Sequence, residues 1–250
     1  MSQHEQHNRR IDPSAMILYG VAAILLLVYL VAGVASKYYA PIPPLLRILM
    51  PVLVCLSAYL GARLPRRGED LVGNAEQRTA CRARVRRVLW LCFVLYLHLI
   101  LTFTLFDPGF GRDFLTILSA NAEDRAYYMR WYVNAVPFET IRTIYIDGFR
   151  YGYITARYLL LNLAGNICAF APFAFFLPIL WRRIDSFWKF FALMIAIVGS
   201  VELCQLALMC GSCDIDDLFL NVGGAVIVWF LLRIPPVKKG IAWLTVEENI

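Results

Sequence analysis

Six long apolar runs dominate this chain, a pattern that makes lipid rather than water the expected surroundings of most of its surface. They are roughly Ala15–Val34, Leu45–Ala62, Val88–Phe106, Tyr158–Leu180, Phe187–Met209 and Leu218–Leu232. A helix rising about 1.5 Å per residue needs ~20 apolar residues to cross ~30 Å of hydrocarbon. Most of the runs reach that length. The second and sixth are shorter, and Arg47 and Pro51 interrupt the second. Of the 250 residues, 60% are hydrophobic and 17% charged, with a mean hydropathy of +0.62. That is too little charge to cover a soluble domain of this length. The expected fold is all-α: a polytopic integral membrane helix bundle of about six transmembrane helices.

Lys and Arg set the expected orientation. Arg9 and Arg10 precede the first run, and eight arginines (Arg63, Arg66, Arg67, Arg78, Arg82, Arg84, Arg86, Arg87) lie between the second and third. Arg182, Arg183 and Lys189 flank the turn between the fourth and fifth runs, and Arg233, Lys238 and Lys239 follow the sixth. Six spans with both termini cytoplasmic put all of these on one side, as the positive-inside rule requires. In segment 107–157 six arginines are balanced by Asp107, Asp113, Glu123, Asp124, Glu139 and Asp147. The net charge of +6 therefore reads as a topology signal, and the partners it implies are membrane lipids and no nucleic acid. Gly33-Val34-Ala35 loosely resembles a signal-peptidase site, but the apolar run before it exceeds the usual signal core, so an uncleaved signal anchor is expected.

Segment 107–157 is the only long outer one. Asp113–Val133 mixes Phe114, Leu115, Ile117 and Leu118 with charges and ends in Tyr127, Tyr128, Trp131 and Tyr132. This fits an amphipathic interfacial helix with an aromatic belt, or equally a loop packed over the helix ends. Asn134-Ala-Val-Pro137-Phe138 then reads as a turn, because Pro137 fixes its own φ and biases Val136 away from helix.

The last three apolar runs each carry two polar residues one helical turn apart: Asn162 with Asn166, Glu202 with Gln205, and Asp217 with Asn221. Such spacing puts each pair on one helix face, and polar groups in membrane helices normally face other helices or a wet cavity. Counting from the expected outer surface, all six fall within about 12 Å of it. Gly165, Gly199, Ser200, Gly223 and Gly224 accompany them as candidate close-contact positions. One polar site near the outer face is the functional expectation. Bland readings compete with it: Asp214 can cap the last helix, Asp216 and Asp217 suit its positive end, and the asparagines can simply join helices. Glu202 is the hardest to explain away, since a carboxylate at that depth must be protonated, paired or hydrated.

Other chemistries fit less well. Cys210-Gly-Ser-Cys213 raises a membrane thiol oxidoreductase, but segment 107–157 has no second Cys pair to relay electrons. Two thiols are too few for a closed zinc site, so no metal is expected. His4, His7 and His98 lie away from the polar pairs, which argues against a histidine-based nucleophile. Phosphate loops and dinucleotide fingerprints are missing from the sequence, and no cofactor is expected. If the chain is an enzyme, Glu202 and Asp217 are the acid–base candidates; the reading leans away from one.

Four motifs in order are similar to those of the VanZ-like family. Leu161-Asn162-Leu-Ala-Gly165-Asn166-Ile-Cys-Ala-Phe170-Ala-Pro172 resembles its Asn-x-x-Gly-Asn…Phe-x-Pro helix, and Glu202-Leu-Cys-Gln205 its Glu-x-x-Gln element. Asp214-Ile-Asp216-Asp217-Leu-Phe-Leu-Asn221-Val-Gly223-Gly224 resembles its Asp-x-Asp-Asp…Asn-x-x-Gly signature, and Asn134…Pro137-Phe138 its outer-loop element. The resemblance divides the chain into a two-helix addition (1–62), an Arg-rich cytoplasmic linker (63–87), a membrane domain (88–233, outer loop 107–157) and a cytoplasmic tail (234–250). It implies a multi-pass protein of the bacterial cytoplasmic membrane and an accessory role in glycopeptide (teicoplanin) susceptibility. The implied pocket binds a lipid-linked envelope precursor, the glycopeptide or another envelope component. Its binding candidates are Asn134, Asn162, Asn166, Glu202, Gln205, Asp216, Asp217 and Asn221. An intramembrane acid–base enzyme and a structural, partner-binding subunit are the alternatives. Relatives commonly carry an Arg shortly before the Asp cluster, where this chain reads Leu208-Met-Cys210-Gly-Ser-Cys213; Arg142 and Arg157 are the candidate substitutes.

Overall fold

A computed structural model describes residues 12–35, 42–64, 75–106 and 120–247, without the side chains at 34, 35, 44, 144, 145, 158, 161 and 162. Arg9, Arg10, Arg66, Arg67 and residues 113–119 of the expected interfacial helix lie outside the described residues. The helices are α1 (Pro13–Ala35), α2 (Pro44–Arg63), α3 (Ala75–Leu101), α4 (Ala122–Trp131), α5 (Ala156–Ala169), α6 (Phe173–Leu180), α7 (Phe187–Leu208), α8 (Ile215–Leu231) and α9 (Pro235–Thr245). π-helical segments follow α3 (Thr102–Phe106) and precede α5 (Ile141–Gly148). Two-residue strands β1 (Val133–Asn134) and β2 (Cys213–Asp214) pair in parallel.

Five helical stretches are long and apolar enough to cross a membrane, and a sixth if α8 and α9 are counted as one interrupted span. Two breaks differ from the sequence reading. α2 runs through Pro51, because losing one backbone bond is tolerable where flanking apolar turns keep the helix packed. The fourth run is instead split into α5 and α6 at Phe170–Pro172. Pro172 sits at the N-cap of α6, where its missing N–H costs nothing. α3 begins at Ala75, so the expected boundary at 88 falls within a helix.

The chain forms two compact units, residues 1–99 with 235–250 and residues 100–234. In the first, Tyr29, Val54 and Leu95 form a buried cluster, and Tyr29 meets the His98 ring edge-on at 5.8 Å. Basic side chains occupy helix C-terminal carbonyls, where the macrodipole is negative. Arg84 Nε donates to Ala62 O at the end of α2 (3.2 Å), and Arg63 Nη1 and Arg82 Nε donate to Trp243 O (3.1 Å) and Val246 O (2.9 Å) at the end of α9.

In the second unit α8 is central, packing on α5, α6 and α7. Its closest approach is at Gly224, where an added Cβ would lie 2.0 Å from Ile167 O on α5. Gly165, Gly199 and Gly223 are not contact positions among the described residues, where a Cβ meets nothing within 4 Å. Gly224→Ala should therefore push α5 from α8 and cost at least about 1–3 kcal/mol, as overpacking does. Gly223→Ala should be neutral or stabilising by up to about 1 kcal/mol from helix propensity. Thermal unfolding of both variants in detergent checks this; equal melting temperatures would refute the close contact.

Candidate functional site

Strand pairing assembles the site. β1 and β2 place Asn134 beside Asp214, just before α8 begins. Asp214 is the extended N-cap of α8, accepting the Asp216 N–H at 2.9 Å. The same oxygen accepts Asn134 Nδ2 at 3.0 Å, and the other accepts the Thr140 hydroxyl at 2.5 Å. Asn134 Nδ2 also donates to Thr140 Oγ1 at 2.9 Å, and its Oδ1 accepts the Val136 N–H at 2.9 Å, fixing the turn into Pro137. The Asp214 N–H in turn donates to Glu202 Oε2 on α7 at 3.0 Å.

Asp216 is fully buried (0% exposed). Its two oxygens accept the N–H groups of Phe138 (2.5 Å) and Ile141 (3.0 Å), which open the helical stretch starting at Glu139. Phe138 has φ +65°, a left-handed conformation costing a non-glycine residue roughly 1–3 kcal/mol. The Asp216 carboxylate and stacking on Phe219, with centroids 5.5 Å apart, hold it there. The buried carboxylates thus sit at two helix N-termini, whose amides carry partial positive charge. Among the described residues no cation pairs with Asp214 or Asp216. Arg142 is exposed and 4.0 Å from Asp147, and Arg157 is also exposed.

A second group lies one residue further along α8. Asn166 Nδ2 on α5 donates to Asp217 Oδ1 at 2.6 Å, and Asn221 Nδ2 donates to the Asp217 carbonyl at 2.8 Å. Asn221 is 6% exposed, and its Oδ1 has no hydrogen-bond partner among the described residues. Gln205 stands apart from both groups. Its Nε2 donates to Thr104 O at 3.0 Å, serving a carbonyl of the π-helical turn, while its own carbonyl accepts from the Tyr128 hydroxyl (3.1 Å) and the Cys210 N–H (3.1 Å). The Asn162 side chain lies outside the described residues. The structure thus joins Asn134, Glu202 and Asp216 through Asp214, and Asn166, Asp217 and Asn221 to one another.

Thr140 escaped the sequence reading, Tyr128 entered it only as part of an aromatic belt, and Asp214 only as a cap and the first residue of a motif. Their contacts lie 74 and 77 residues away in the chain, beyond the reach of spacing. Among the described residues no group of three or more His, Cys, Asp or Glu side chains is placed to hold a metal ion. A cavity of about 360 Å³ in this unit is lined by Leu101, Leu105, Ile197 and Val201 among others, and by none of these polar residues.

Two outcomes test this arrangement. Asp216→Asn replaces one acceptor oxygen by a donor, so it should lose about 1.5–3 kcal/mol and speed amide exchange at Phe138 and Ile141 by roughly tenfold or more; unchanged exchange there would contradict the double cap. Burial pushes the Cys213 thiol up, and the charges of Glu202 and Asp214 add to the shift. With the other cysteines replaced, Cys213 should alkylate more slowly at neutral pH than an ordinary thiol, because less thiolate is present. Glu202→Gln should speed it.

Comparison with known proteins adds one match. The family model described as VanZ/LLP1 matches residues 93–235, more than half of the chain and all of the polar residues above. No curated protein and no solved structure matches.

Proposed function

The chain belongs to the VanZ/LLP1 family, and on that premise we propose that it is an accessory membrane protein of the bacterial envelope in which Asn166, Asp217 and Asn221 bind a lipid-linked or envelope component. The role in glycopeptide (teicoplanin) susceptibility implied by the family name is part of this reading. The observation that carries it is Asn221 Oδ1, a buried acceptor without a partner among the described residues, one helical turn from the Asn166–Asp217 bond. A buried acceptor left unmatched costs about 1–3 kcal/mol. A ligand supplying a donor recovers that energy. Among the described residues the group presents acceptors, which favours recognition of hydroxyl, amide or ammonium groups, as on sugars and peptides, over recognition of a phosphate.

Hydrogen bonding separates this group from the rest. Asp214 and Asp216 have their carboxylate oxygens engaged, which suits a scaffold. Glu202 reaches Asp214 through a main-chain N–H and so couples the binding helix to α7.

The test is teicoplanin susceptibility of a host expressing the full chain, with membrane levels and thermal stability measured in parallel. Asn166→Ala, Asp217→Asn and Asn221→Ala should each weaken the phenotype by degrees while the protein stays folded. Removing one charge-assisted hydrogen bond is worth roughly tenfold or more in affinity. Loss confined to Glu202→Gln and Asp217→Asn, with both asparagine variants silent, would favour acid–base catalysis instead. Full function in every variant would refute a binding role for this group.

A further inference from the structure

A cavity lies outside the segment matched to the family. In the first unit, α1, α2 and α3 enclose a cavity of about 450 Å³, within the roughly 300–1,000 Å³ typical of ligand pockets. Its origin is legible in the side chains. Ala15 and Ala22 on α1 face Ala58 and Gly61 on α2, and small residues on facing helices leave a void beside their close contact. At Gly61 the helices nearly touch: a Cβ would lie 3.3 Å from the Tyr19 ring and 3.4 Å from Ala15 O.

The cavity is polar at one end only. Asp12, Arg84 and Arg87 line the end where α1 starts and α2 finishes, whereas Leu26, Val54 and Leu91 line the other. From Ala15 to Leu26 the wall runs about 16 Å along α1 at 1.5 Å per residue. Arg84 is 8% exposed and is oriented by its bond to Ala62 O. Asp12 accepts the Ser14 N–H at 2.8 Å and so caps α1. Among the described residues lining it, the mouth therefore carries two guanidinium groups and one carboxylate, together with the positive end of α1.

We propose that this cavity holds one acyl chain of an anionic phospholipid, with the headgroup phosphate at Arg84 and Arg87. Charge complementarity selects the headgroup, since a guanidinium matches phosphate geometry through paired N–H donors. The apolar depth selects a lipid over free phosphate, which would leave the void unfilled. The site is independent of the Asn166–Asp217–Asn221 group, which lies in the other unit.

The full chain, purified in detergent and reconstituted in nanodiscs of phosphatidylcholine with or without phosphatidylglycerol, provides the test. Phosphatidylglycerol should stay bound in native mass spectra and raise the melting temperature above that in phosphatidylcholine alone; inorganic phosphate should do neither. Arg87→Gln should weaken phosphatidylglycerol retention roughly fivefold, the worth of one surface cation beside an anionic lipid. Ala58→Leu, which fills the cavity, should abolish the preference without lowering the melting temperature in detergent. Equal effects of the two lipids, protection by phosphate alone, or an unchanged preference in both variants would overturn the proposal. If Ala58→Leu fails to fold, the lipid comparison and Arg87→Gln decide on the same terms.

Discussion

The second unit depends on two buried carboxylates that serve as caps for helix N-termini. Removing a carboxylate from water costs several kcal/mol even after relaxation, so Asp214 and Asp216 persist only because donors surround them. Asp214 collects the Asn134 amide, the Thr140 hydroxyl and the Asp216 N–H. Asp216 collects the N–H groups of Phe138 and Ile141. These bonds tie the 134–141 turn to α8, and Glu202 ties α7 to the same point through the Asp214 N–H. Burial of the charges is what gives the turn its fixed shape, including the left-handed Phe138.

That arrangement separates holding from binding. Among the described residues Asp214 accepts from three donors and Asp216 from two, so every carboxylate oxygen of the pair already holds part of the frame. Asp214 and Asp216 thus hold the 134–141 turn against α8. The Asn221 acceptor and the Asn166–Asp217 bond lie next to the frame on α8, on the helix that Gly224 presses against α5. A substitution at Gly224 would consequently reach the Asn166–Asp217 bond without touching it. Likewise, a raised Cys213 pKa is the opposite of what thiol exchange at neutral pH requires, so the Cys210–Cys213 spacing does not by itself mark a redox site.

Much of the helical content was legible because apolar length is a direct physical requirement of crossing a bilayer, and α1, α2 and α7 follow their apolar runs closely. The finer geometry was not. Residues three apart differ by about 60° around a helix and residues four apart by about 40°, so a shared face is not a shared partner. Asp217 and Asn221 bond to each other, whereas Glu202 turns to Asp214 and Gln205 to Thr104. The π-helical turn at Thr102–Phe106 that needs Gln205 leaves no mark in the pattern of apolar residues. Small residues were similarly ambiguous: four glycines looked alike in sequence, and only Gly224 meets a neighbouring backbone. Asp214 was legible as a cap but not as the meeting point of Asn134, Thr140 and Glu202, because those contacts depend on strand pairing between distant segments.

The same rule governs charge in both units. In residues 100–234, aspartates fill the N-terminal ends of helical segments, where unpaired amides are partly positive. In the other unit, arginines fill the C-terminal ends of α2 and α9, where unpaired carbonyls are partly negative. A helix buried in apolar surroundings cannot leave either end to water, so these aspartates and arginines have a backbone group to satisfy before they can serve a ligand. The groups to test for binding are those with capacity beyond this duty. Asn221 Oδ1 is one. Arg87 is another: among the described residues its Nε reaches the Ala83 carbonyl of its own helix, at 3.4 Å, while its side chain lines the polar end of the cavity. Ligand chemistry then follows from what each group lacks: a donor at the first and an anion at the second.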